Sequence, residues 1–81
     1  MSDKSDSSQV NLQYDNLSAL YASQTIISTT SEEIMLEFSS GIMTDPSSGH
    51  PCLPIHTRIA MPRTSVEKLH RLLGQALEAQ Q

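Results

Sequence analysis

The chain contains no tryptophan, one phenylalanine, two tyrosines and one cysteine among its 81 residues. So few aromatics leave a core to be built from aliphatic side chains, and a domain of this size buries only about 60% of the surface that its unfolded chain exposes. A single thiol, Cys52, excludes an intramolecular disulfide as a substitute for that thin core and suits a reducing compartment. Cations are scarce: five Lys plus Arg stand against nine Asp plus Glu, for a formal charge of −4. Indiscriminate binding to phosphate backbones rests on clustered Lys and Arg, so no nucleic acid is expected as a partner. Long apolar runs are missing as well. No stretch approaches the ~20 residues of a membrane span, nor does the amino terminus carry the apolar centre of a signal peptide. These features predict a cytoplasmic protein with no membrane association.

Residues 1–12 are rich in Ser, Asp, Lys and Gln and offer too little apolar surface to offset the entropy of ordering, which predicts a flexible tail. A single small domain is expected over residues 13–81, with Tyr14 to Leu20 as a connector. From Tyr21 to Thr29 the β-branched Thr25, Ile26, Ile27 and Thr29 predict a strand, and Thr30-Ser31-Glu32 supplies a turn. Ile34, Leu36 and Phe38 then alternate with Glu33, Met35 and Glu37, the period of a second strand with one buried and one wetter face. Residues 39–53, with Gly41, Gly49, Pro46 and Pro51, read as a long surface loop. A third strand alternates Ile55, Thr57, Ile59 and Met61 against His56, Arg58 and Ala60, and Pro62 ends it.

Thr64-Ser65-Val66-Glu67 has the spacing of a capping box, predicting a helix over about 64–79. Its apolar stripe of Val66, Leu69, Leu72, Leu73, Ala76 and Leu77 should cover the Ile34, Leu36 and Phe38 face, with Leu72 inside the helix–sheet core. The expected fold is α+β: a three-stranded antiparallel sheet with one C-terminal helix packed on one face.

Two blocks of the chain, between about Ala19 and Leu77, resemble a small prokaryotic family known as a domain of unknown function, DUF family 3467. In the first, Leu20-Tyr21-Ala22, Ile26-Ile27-Ser28 and Glu33-Ile34-Met35-Leu36-Glu37-Phe38 are similar to the family's Tyr-led strand and its second strand. In the second, Arg58-Ile59-Ala60-Met61 and Leu69 through Leu73 are similar to its Arg-Ile-x-Met strand end and leucine-rich helix. The polar positions differ. Ser23 and Thr29 stand where the family often has Asn and His, and Pro62-Arg63-Thr64-Ser65 departs from its Ser/Thr-Pro-x-His helix start. The resemblance implies a divergent member that shares the fold, and it supplies no activity.

Candidate chemistry is sparse. His50, Cys52 and His56 offer imidazole and thiolate, a ligand set suited to zinc or copper, but their spacing matches no common finger, so no metal and no cofactor are expected. Cys52 has no base oriented beside it by sequence, and a free cysteine is commonly a small apolar residue. Glu32, Glu33 and Glu37 read as solvated carboxylates on a hairpin, not as a catalytic cluster. Arg63, Lys68 and Arg71 read as the solvated face of the helix, and no glycine-rich phosphate loop precedes it.

Met35, with Glu33 and Glu37 beside it on the face opposite the core stripe, and Arg63 and Arg71 are candidate contacts for a partner. One sheet face and two sheet edges would be left without cover. The expected role is a non-catalytic, self-associating structural, adaptor or regulatory protein, most simply a homodimer, with a further protein partner possible. The alternative is a metal- or small-ligand-responsive regulator using the His50/Cys52/His56 region.

Overall fold

The structure is a computed structural model, and it describes residues 10–80. The tail expected over residues 1–12 therefore lies largely outside the described residues. Val10 to Leu12 carry no regular structure and are exposed. Five strands and one helix follow in the order β1 (Gln24–Thr29), β2 (Glu33–Ser39), β3 (Met43–Thr44), β4 (Pro51–Cys52), β5 (Thr57–Pro62) and α1 (Arg63–Ala79). β1, β2 and β5 form a three-stranded antiparallel sheet with β2 in the centre, so the fold is α+β as the alternation implied.

Register follows the pattern of β2. Leu36 sits between Ile27 of β1 and Ile59 of β5, Ile34 between Thr29 and Met61, and Phe38 between Thr25 and Thr57. These residues share one face because side chains alternate across a strand. The other face carries Met35 between Ser28 and Ala60, and Glu37 between Ile26 and Arg58. The β1–β2 turn is held by Thr30, whose hydroxyl oxygen accepts the amides of Glu33 at 3.0 Å and Glu32 at 3.3 Å. Its own amide donates to the Glu33 carbonyl at 2.9 Å.

Four local expectations are corrected. The first strand begins at Gln24, three residues after Tyr21: before it, Ser23 donates its amide to the Ser39 carbonyl at 2.9 Å and its hydroxyl to the Ser40 carbonyl at 3.1 Å. The last strand begins at Thr57, so Ile55 lies outside it. Residues 39–53 are not a plain loop, because β3 and β4 pair within them, Met43 opposite Cys52 and Thr44 opposite Pro51. Asp45 makes that turn: its carboxylate accepts the Ser47 amide at 3.0 Å and the Ser47 hydroxyl at 2.9 Å. Gly49, at φ +76°, takes the left-handed conformation the return requires and donates to the Asp45 carbonyl at 2.8 Å.

The fourth correction is the helix start. α1 begins at Arg63 with Pro62 as its cap residue, φ −62° and ψ 154°, and no side chain caps it. Thr64 therefore lies inside the first turn and the expected capping box does not form. Pro62 is tolerated in β5 because that strand is an edge, and the fixed proline torsion turns extended chain directly into helix.

The core is small. Among the described residues, Leu36, 8% exposed, is the buried hydrophobic residue, and Ser39, fully enclosed, is the buried polar one. Ser39 meets its polar requirement locally, since its hydroxyl oxygen accepts the Gly41 amide at 3.1 Å. The helix meets β2 and β5 through its beginning: Ser65, Val66 and Leu69 are half-buried, while every residue from His70 to Gln80 is exposed. Leu72, expected inside the core, is 61% exposed. The physical reason is connectivity. β5 ends at Pro62 and α1 begins at Arg63 with no residue between them, where strand-to-helix connections commonly run about 2–6 residues, which leaves the helix little freedom to turn back across its sheet.

Candidate interaction surface

The apolar positions of three elements remain open to solvent. On the Leu36 face of the sheet, Ile27 is 61% and Ile59 44% exposed. Along the helix, Leu73 and Leu77 are 55% and 68% exposed, and both lie on the stripe that begins with Val66 at helical spacing. Ahead of the sheet, Val10, Leu12, Tyr14, Leu17, Leu20 and Tyr21 are all at least 66% exposed in a segment without regular structure. Scattered surface leucines need no explanation, but an amphipathic helix and a sheet face both left open in one chain do. The radius of gyration is 17.6 Å, against roughly 12 Å for a compact chain of this length, because the helix and the N-terminal segment both leave the sheet.

The candidate contact residues fall in two places. Met35 and Glu37 are half-buried on the second sheet face, with Glu33 exposed at its end. Glu37 is already engaged: its carboxylate pairs with the Arg58 guanidinium directly across the strands. Arg63 and Arg71 instead line an open hollow of about 440 Å³ where the helix leaves the sheet, together with Ile34, Val66, Glu67 and His70. Sequence patterning passed over His70, which sits beside the stripe at positions 66, 69 and 73 and reads as an ordinary surface histidine.

His50, Cys52 and His56 are not brought together, and among the described residues no group of three or more His, Cys, Asp and Glu side chains converges. Each has a separate local setting. Cys52 is exposed on the ribbon, at a shallow hollow with Ile42, Pro51 and Leu53. His50 closes the ribbon through its carbonyl, which accepts the Asp45 amide at 2.8 Å. His56 ties the chain ahead of β1 to the sheet. Its Nε2 lies 3.0 Å from the Tyr21 carbonyl, which can only accept, so Nε2 donates there, and Nδ1 lies 2.7 Å from the Thr57 hydroxyl. Both ring nitrogens are therefore occupied, a role that periodicity could not reveal because its partner lies 35 residues away.

The ribbon turn also shifts an ionisation. Hydrogen bonds from the Ser47 amide, the Ser47 hydroxyl and the Ser48 hydroxyl hold the Asp45 carboxyl below its ordinary value. Among the described residues no helix is long and apolar enough to cross a membrane. Comparison of the chain with protein-family models, with curated proteins and with solved structures found no match.

Proposed function

We propose that this chain is a non-catalytic module that works by self-association, as a small structural, adaptor or regulatory protein whose smallest closed form is a homodimer. The observation that carries this reading is the simultaneous exposure of Ile27 and Ile59 on the sheet and of Leu73 and Leu77 on the helix. A subunit whose buried apolar core is little more than Leu36 has weak means of offsetting the conformational entropy of its own ordering. Covering the open surface with protein supplies the missing burial, and a two-fold pairing is the commonest closed solution.

We place the chain, as part of the same proposal, with DUF family 3467, on its apolar strand and helix framework. The acidic balance and the exposed single thiol support a cytoplasmic location with no nucleic-acid partner. Light scattering coupled to size exclusion at micromolar concentration tests the proposal. A dimer or larger closed oligomer is expected; a folded monomer at those concentrations overturns it.

A further inference from the structure

We infer that the second copy is engaged by reciprocal helix exchange, in which the part of α1 beyond His70 in each chain lies across the exposed Ile27 and Ile59 on the Leu36 face of its partner's sheet. The inference rests on the self-association reading and adds the identity of the two surfaces that meet.

Three features favour this pairing over others. The same chain supplies one open sheet face and one open helix stripe, so two copies satisfy each other in equal number. The helix covers its own sheet only through its first turns, every residue from His70 to Gln80 being exposed, and Pro62 passes directly into Arg63 where strand-to-helix connections commonly run about 2–6 residues. The area is also sufficient. With exposures of 61% for Ile27, 44% for Ile59, 61% for Leu72, 55% for Leu73 and 68% for Leu77, these five residues alone leave several hundred Å² open in each chain. That is of the order of the apolar share of a stable interface of about 800 Å² per partner. Exchange leaves the subunit's own contacts in place: Val66 and Leu69 keep their positions against the sheet, and only the portion beyond His70 reaches the partner.

Directed disulfide formation tests this contact. Two variants are made in a Cys52→Ser background, one carrying Ile27→Cys and the other Leu73→Cys, both at positions exposed in the subunit. They are mixed, allowed to exchange, oxidised under mild conditions and examined by intact mass. The expected product is a covalent heterodimer joining the two variants, several-fold more abundant than either homodimer. A chain carrying both substitutions should likewise give a covalent dimer, whereas an intrachain bridge would mean that the helix folds back onto its own sheet and would overturn the exchange. An unoxidised dimer that forms no heterodisulfide overturns the exchange but spares self-association, pointing to edge pairing or to packing through the Met35 face. A monomer in light scattering overturns both.

Discussion

Replacing Leu73 by Asp places a carboxylate in the middle of the helix stripe while leaving the isolated subunit nearly untouched. Leu73 is 55% exposed, so the substitution removes few contacts within the chain. Covering the remaining surface of that side chain, roughly 100 Å², is worth about 2.5 kcal/mol at ~25 cal/mol per Å². A two-fold assembly contains the position twice, so Leu73→Asp should weaken association by about 5 kcal/mol, a factor of several thousand in Kd. Burying a carboxylate without a partner adds to this loss. Sedimentation equilibrium over a concentration series reads the Kd, and one-dimensional NMR checks that sheet resonances persist. Loss of less than tenfold, with the wild type dimeric, would refute the assignment of the stripe to the interface. Loss of sheet resonances would refute the claim that the helix beyond His70 contributes little to the subunit.

The remaining expectations concern the subunit's core, the dependence of α1 on assembly, and two local ties. Leu36→Ala should destabilise the folded state by about 2–3 kcal/mol, toward the low end for a buried leucine because the site is shallow, as chemical denaturation measures. Diluting the protein below its dissociation constant should lower helical circular dichroism, since an isolated helix of this length is marginal in water; helicity independent of concentration would show that the subunit holds α1 by itself. Asp45→Ala should speed amide exchange at Ser47 and Gly49 without moving the global Tm. The same turn should loosen with acid: the depressed Asp45 pKa makes its contribution full above the ordinary value of 3.8, and that contribution is lost as pH falls through the lower folded value. His56→Ala removes the hydrogen bond to the Tyr21 carbonyl, worth about 1 kcal/mol, and should expose the chain at Tyr21 to faster chymotryptic cleavage than in the parent.

Several elements were legible because they depend on near neighbours in the chain. The alternation of Ile34, Leu36 and Phe38 with Glu33, Met35 and Glu37 specified both the strand and its two faces, since a strand's side-chain period is fixed at two. Thr30 to Glu32 specified the turn through side-chain to backbone bonds that close within three residues. The helix was written in its stripe, though its cap falls on Pro62, two residues before the Thr64 that the capping-box spacing suggested. The β3–β4 ribbon was obscured because its strands are two residues each, too short to carry a period, although Asp45, Ser47 and Gly49 hold its turn.

What the sequence by itself determined is therefore the set of surfaces: an apolar sheet face, an apolar helix stripe, and little charge or aromatic content to occupy either. Which surfaces meet was decided only in three dimensions. A stripe at helical spacing states that a helix has something to bury, but not against what. The zero-residue junction between Pro62 and Arg63, together with the tie from His56 to Tyr21, fixes the directions in which the chain leaves the sheet. Those directions keep Leu73 and Leu77 from covering Ile27 and Ile59 of the same chain, because burial is set by where the backbone can carry a side chain and not by its hydrophobicity alone.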